Sequence, residues 1–189
     1  TEALSRARIQ YGTSLFYPAV VMGSHVSATP NHQTGNITPI KFRFDMACAG
    51  RLGMELQPRQ MTDEERQFAR RAIASYKEYR DIVMQGDLYR IGTPYDDTGY
   101  YGVMYVSKDK KKAVLFTYCT LYQSRTLVPK FRLYGLDAQT RYKIREQNVD
   151  KKRFWFDGGT FTGEYLANAG INPNLSKIYD SAVFVLEAQ

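Results

Sequence analysis

The chain has few of the residues from which small, self-contained active sites are built. Its 189 residues include two cysteines, two histidines and one tryptophan. Cys48 and Cys119 lie far apart and neither belongs to a Cys-x-x-Cys pair. The spacing therefore indicates neither a disulfide framework nor a thiolate zinc site, and buried free thiols are expected. His25 and His32 stand seven apart with no thiol nearby, a poor ligand set, so no metal and no cofactor is expected. No run approaches the roughly 20 apolar residues of a membrane span, and no secretory leader opens the sequence. No membrane partner is expected, and the compartment stays open between cytoplasm and periplasm or exterior. Thr1-Glu2-Ala3-Leu4 enters a helix with no initiating Met, which suggests a processed piece or a fragment.

Acidic residues are also the minority: 19 Asp and Glu against 26 Lys and Arg, for a net charge of +7. That balance raises nucleic acid as a partner. The distribution argues against it, because Lys108, Lys110, Lys111 and Lys112 crowd one polar turn while the other cations are scattered. A solvated hairpin tip accounts for such a cluster. The 15 Tyr and 10 Phe residues suit strand cores as well as base stacking. Paired groups for acid–base or nucleophilic chemistry are missing too. Asp45, Asp63 and Asp81 each have a structural reading, in a helix body, at a helix N-terminus and on a solvent face. Asp96-Asp97 read as a turn, Gly158-Gly159 is too short for a phosphate loop, and no serine sits in a nucleophile elbow. No residue here is assigned as catalytic.

What is present is an ordered alternation. Thr1 to Phe16 places Leu4, Ala7, Tyr11 and Leu15 on one helical stripe, and Pro18 stops it. Ala19 to Met22 reads as a short buried strand that empties into Gly23-Ser24-His25-Val26-Ser27-Ala28-Thr29-Pro30-Asn31-His32-Gln33-Thr34-Gly35. A strand discharging into such a loop is how parallel α/β folds present their working face; connective turn residues are the plain alternative. Lys41 to Ala49 reads as a short helix and Leu52 to Leu56 as a buried strand. Thr62 with Glu65 forms a capping box, and Phe68, Ala72, Tyr76, Tyr79 and Val83 extend one stripe to Gly86, a left-handed stop. Two parallel strands cannot make a stable sheet alone, so residues 1–86 read as the end of a larger α/β unit. Beyond Gly86 the period changes from 3.6 to 2. Strands are expected at 101–106, 113–122, 130–134, 141–144, 153–157 and 182–186, each with one wet and one buried face, in an antiparallel sandwich.

Several stretches then resemble one family. Ala3-Leu4-Ser5-Arg6-Ala7-Arg8-Ile9-Gln10-Tyr11-Gly12-Thr13-Ser14, Met22 to Ser27, Pro30-Asn31-His32-Gln33-Thr34-Gly35, Tyr76-Lys77-Glu78-Tyr79-Arg80-Asp81, Gly86-Asp87-Leu88-Tyr89-Arg90 and Asn168-Ala169-Gly170-Ile171 resemble the α-galactosidases of glycoside hydrolase family 36. The resemblance runs from residue 1 to the C-terminus, and Pro-Asn-His-Gln-Thr-Gly is its most specific element. It implies an α+β composite: the last strands and helices of a (β/α)8 barrel in residues 1–86, then a C-terminal antiparallel β-sandwich domain in residues 87–189. It also implies a retaining hydrolysis by two aspartates that both lie upstream, the acid/base in a Trp-x-Ser-Asp motif ending just before Thr1. Where the family often has Asp after that Thr, this chain has Glu2.

The resemblance thus implies the C-terminal part of an enzyme that removes terminal α-linked galactose from raffinose-type oligosaccharides and commonly forms homo-oligomers. The chain alone is expected to be inactive. His25, Asn31 and His32 are the candidate residues, expected to support an active-site loop or a neighbouring subunit more than to touch sugar. Trp155 and Asp180 are expected in the core or on the surface of the C-terminal domain. The rival reading is a carbohydrate-binding or oligomerisation module in residues 87–189. An open barrel end exposes strand edges, so self-association is expected.

Overall fold

The structure, a computed structural model, describes residues 1–123 and 127–189. Helix α1 (Ala3–Thr13) buries Ala3, Arg6, Ala7 and Gln10, which share a face by their three- and four-residue spacing. The buried face is turned by one residue from the expected stripe, and Leu15 is left exposed. Arg6 and Gln10 find polar partners beneath the helix, which a hydrophobic pattern does not register. A 3₁₀ turn at Ala19–Val21 replaces the expected strand, and strand β1 (Gly23–Ser27) begins one step later. The following loop contains a cis Thr29–Pro30 bond and Gly35 at φ 71°.

Helix α2 (Ile40–Cys48) is buried from Phe42 onward and returns the chain to β2 (Arg51–Glu55). β1 and β2 pair in parallel, with His25 opposite Gly53 and Ser27 opposite Glu55. Their sheet has two strands among the described residues. Met54 and Glu55 are exposed, unlike the buried strand expected over Leu52 to Leu56, because among the described residues no further strand pairs with β2.

Helix α3 (Asp63–Gln85) starts at the expected capping box. The Glu65 amide donates to Thr62 Oγ1 (3.2 Å) and the Thr62 amide to Glu65 Oε2 (3.1 Å). Its buried stripe is Ala69, Ala72, Tyr76, Tyr79 and Val83. Gly86 ends the helix, but not in the left-handed region: its φ is −72°. Glycine is required there for space, since a Cβ would stand 2.4 Å from the Ile82 carbonyl oxygen and 2.7 Å from that of Val106.

Strand β3 (Asp87–Gly92) follows at once, where the sequence indicates no strand. It opens a six-stranded sheet with β4 (Tyr100–Val106), β5 (Lys112–Cys119), β6 (Arg141–Gln147), β7 (Thr160–Thr162) and β8 (Ser181–Ala188). The order is β3-β4-β5-β8-β6-β7, with every pairing antiparallel. β4 is buried at every position and β5 at all but Lys112, so these strands have no wet face. On one side Tyr101, Tyr105, Phe116 and Val183 join the core of α1, α2 and α3. On the other, Met104, Leu115, Phe184 and Leu186 lie under Phe131, Leu133, Phe156 and helix α4 (Gly163–Asn168).

That second layer is where strand expectations fail. From Lys130 to Tyr134 burial alternates, yet only Phe131 makes a bridge, to Ile171. Residues 153–157 form no strand, although Phe154 and Phe156 still share a side, as alternate residues of a strand would, and stack at 5.4 Å and 2°. β6 does keep the expected alternation. The lysine cluster is a hairpin tip between β4 and β5, with Lys110 at φ 59°, Lys108 paired with Asp87, and Lys112 2.9 Å from Glu187. Both cysteines are buried and unpaired.

Candidate functional site at the end of the parallel strands

The loop from Ala28 to Pro39 leaves the C-terminal end of β1. Asn31 is buried within it and folds the loop on itself. Its side-chain oxygen accepts from the amides of Gln33 (3.0 Å) and Thr34 (3.1 Å), an Asx-type turn. Its own amide donates to the Asn36 carbonyl at 2.9 Å, and the Gly35 amide donates to its carbonyl at 2.8 Å. Glu2, also buried, then fastens the loop to the start of α1. Its carboxylate accepts from Thr34 Oγ1 (3.1 Å), Asn36 Nδ2 (2.9 Å) and Ser5 Oγ (3.3 Å). A carboxylate withdrawn from water requires such donors, and its place before the first turn of α1 also puts it at the positive end of the helix dipole.

Arg43 closes the far end of the loop from α2. Its guanidinium donates to the carbonyls of Thr38 (3.1 Å) and Ser27 (2.9 Å), and to Glu65 Oε1 (2.8 Å). One side chain thereby joins the end of β1, the end of the loop and the cap of α3. Burial lowers the Arg43 pKa while the Glu65 carboxylate works in the opposite direction.

His25 lies on β1, before the loop. Its Nε2 is 2.5 Å from Glu55 Oε2 on β2 and 3.5 Å from Arg6 Nη1. Arg6 also donates to the Gly23 carbonyl (2.8 Å) and, through Nε, to Gln10 Oε1 (3.2 Å). Gln10 in turn accepts from Ser24 Oγ (2.7 Å) and donates to the Met46 carbonyl (3.0 Å). Desolvation and the Arg6 charge lower the His25 pKa, and Glu55 opposes them. His32 is exposed and takes part in none of these bonds. The three sequence candidates therefore separate: Asn31 organises the loop, His25 joins the strand network, and His32 faces solvent.

A third buried group ties this region to the antiparallel sheet. The Asp45 carboxylate of α2 is 2.5 Å from Lys41 Nζ. It accepts from Asn148 Nδ2 (3.0 Å) and Ser181 Oγ (2.8 Å), and its backbone carbonyl accepts from the Tyr118 hydroxyl (2.9 Å). Glu2, Arg6, Arg43 and Asp45 are the residues that sequence reasoning passed over or read as ordinary helix positions. For Arg6, Arg43 and Asp45 a signal was available, since each is a charged side chain beside residues of a buried helical stripe.

Chemically this constellation holds backbone and loop in place. No carboxyl pair faces across an open cleft in it. Burial pushes the Cys48 thiol well above its usual pKa, so no thiolate nucleophile is at hand. Among the described residues no group of three His, Cys, Asp or Glu could hold a metal ion, and no helix is long and apolar enough to cross a membrane.

Comparison with known proteins adds the wider setting. The Melibiase family model matches residues 1–86, and the model of the glycosyl hydrolase family 36 C-terminal domain matches residues 100–186. Alpha-galactosidase 2 of Hypocrea jecorina is 37% identical over all of this chain and 24% of its own length. Alpha-galactosidase AgaA of Geobacillus stearothermophilus is 35% identical over all of this chain and 24% of its own length. The solved structure of a variant of that enzyme, in complex with raffinose, superposes with a TM-score of 0.89 at 35% identity, over all of this chain and 25% of the other. The chain thus spans about a quarter of the curated relatives it matches.

Proposed function

This chain belongs to glycoside hydrolase family 36, of whose members it is a C-terminal portion, and from that premise we propose that it serves a retaining α-galactosidase. In this reading residues 1–86 supply the closing strands and helices of a (β/α)8 barrel, and residues 87–189 form the C-terminal antiparallel β-domain, a sandwich in its layering. The catalytic carboxylates come from polypeptide upstream of Thr1, and the substrates are terminal α-galactosides such as raffinose-type oligosaccharides. Within the assembled enzyme the chain is expected to take part in a homo-oligomer.

The observation that carries the proposal is the parallel register of β1 and β2 across α2. It places the Glu2–Asn31–Arg43 loop system at the C-terminal ends of parallel strands, where barrel enzymes keep their sites. Asn31 and Glu2 hold that loop as a wall of the site, and His25 acts beneath it through Glu55 and Arg6. His32, exposed at the loop surface, is left to meet another loop or another subunit. None of the three histidine and asparagine candidates donates or takes the catalytic proton.

A chimera tests the proposal. The C-terminal quarter of the Geobacillus enzyme is replaced by this chain, and hydrolysis of a chromogenic α-galactoside is followed. Turnover by the chimera, with none by the 189-residue chain alone, is the expected result. Turnover by the isolated chain, or an inert chimera that is folded, would sink the reading.

A further inference from the structure

The single tryptophan is placed where a folded protein seldom leaves one. Trp155 is 71% exposed, while its chain neighbours Phe154 and Phe156 are buried. Buried rings on both sides anchor the backbone, so the indole is turned outward by construction. It is also braced. Phe156 meets it at 5.9 Å and 87°, and Phe161 at 5.8 Å and 87°. Phe161 is stacked on Tyr165 at 5.3 Å and 20°, and Tyr165 is 41% exposed. Perpendicular ring contacts are a favoured aromatic geometry, and with the side chain 71% exposed they brace the indole while leaving most of its surface open.

We infer that Trp155, with Tyr165 one ring further on across Phe161, is a stacking platform for a pyranoside ring of a neutral oligosaccharide, separate from the loop at the end of β1. One face of a galactosyl ring is an array of C–H bonds, and that face complements the electron-rich face of an indole. A rigid platform also loses little conformational entropy on binding. Size favours a sugar over a protein. The two side chains expose roughly 250–300 Å2, judged from aromatic surfaces of about 150–250 Å2 each, whereas a standard protein interface takes about 800 Å2 per partner. Exposed Lys151, Lys152 and Glu164 lie beside the two rings in the chain and supply polar groups for hydroxyls. The choice of galactosides as ligand rests on the function proposed above; the platform itself does not.

Because Trp155 is the only tryptophan, its emission reports the site directly. The chain is titrated with raffinose, galactose and sucrose, and its migration is compared in gels with and without galactomannan. A saturable emission shift with the galactosides and retardation by galactomannan are expected; retardation is lost in Trp155→Ala, which keeps no tryptophan to report emission, and both are weakened in Tyr165→Ala. Trp155→Phe, which keeps a ring for Phe156 and Phe161 to brace, is expected to retain partial retardation. An unchanged thermal midpoint in the variants shows that the fold persists. Turnover of the chimera described above is expected to survive Trp155→Ala, so this inference and the catalytic reading can fail separately. The inference is overturned if no emission shift occurs up to the solubility limit of the sugars, or if the variants are retarded like the parent. It is equally overturned if emission shifts with protein concentration alone, which would assign the face to a second copy of the chain.

Discussion

The two sheets of this molecule obey different rules. The antiparallel sheet satisfies itself: β4, β5, β8 and β6 each have two strand neighbours, and a layer of side chains lies on either face of β4 and β5. The parallel pair does not. Among the described residues β1 and β2 have only each other, and exposed apolar residues gather just before them, with Phe16 82% and Tyr17 61% exposed. The parallel part shares the apolar core of α1, α2 and α3 with one face of the antiparallel sheet, and it adds to that core a set of buried, bonded charges: Glu2, Arg6, Arg43 and Asp45. A hydrophobic layer stabilises in proportion to area, but a buried charge stabilises only while its partners are in place. The parallel part should therefore be the more brittle of the two.

The largest effect tests the seam. Asp45→Ala removes a fully buried carboxylate and leaves Asn148 and Ser181 without their acceptor. A loss of about 3–5 kcal/mol, typical for breaking a buried charged network, is expected in urea unfolding. If the loss stays under about 1 kcal/mol, the range of exposed pairs, the seam does not couple the two parts. The cysteines then say which part opens first. Cys48 belongs to α2 and Cys119 to β5, and burial raises the Cys119 pKa to about 11. Neither should react with a thiol reagent at neutral pH in the native chain, since the thiolate is the reactive form. In mild urea Cys48 should label before Cys119. The reverse order would overturn the ranking of the two parts.

Arg43→Met is the next step down. It leaves the carbonyls of Ser27 and Thr38 unpaired, at a cost of about 2–3 kcal/mol. The sharper readout is local: amide exchange should accelerate across residues 28–39 while β4 and β5 remain protected. Thr62→Ala removes one half of the capping box and should cost about 1 kcal/mol, seen as a modest drop in thermal midpoint. A cost for Thr62→Ala as large as that for Arg43→Met would mean that the helix cap, not the loop, limits this part.

The same contrast explains what was legible beforehand. α3 was readable because its cap and its stripe are both local signals, carried by Thr62, Glu65 and a run of apolar residues at helical spacing. β4, β5 and β8 were readable from β-branched and aromatic runs, although their burial on both faces depends on layers that the sequence does not reveal. The period of α1 misled because Arg6 and Gln10 occupy inward positions. Gly86 misled because a close approach between chain segments, not a dihedral angle, demands the missing Cβ. The segments 130–134 and 153–157 have the alternation or composition of strands, but the first meets its neighbour in a single bridge at Phe131 and the second forms no strand; pairing is a tertiary fact. In the loop, Asn31 stood out by its residue type, whereas Glu2 acts across a gap of more than thirty residues that no spacing rule connects.

The smallest effect belongs to His25. The His25 pKa lies below its ordinary value because desolvation and the Arg6 guanidinium outweigh the Glu55 carboxylate. A lowered folded pKa means that the unfolded chain takes up a proton first as acid is added. Stability from His25 is thus fully present above about pH 6.5, the unfolded value. It is lost as pH falls through the folded pKa, and the loss levels off below it. Urea midpoints measured from pH 7.5 downward should fall over that window, and His25→Gln should flatten the slope. If the slope survives His25→Gln unchanged, the polar bonds beneath β1 are not what distinguishes the parallel part from the sheet it rests on.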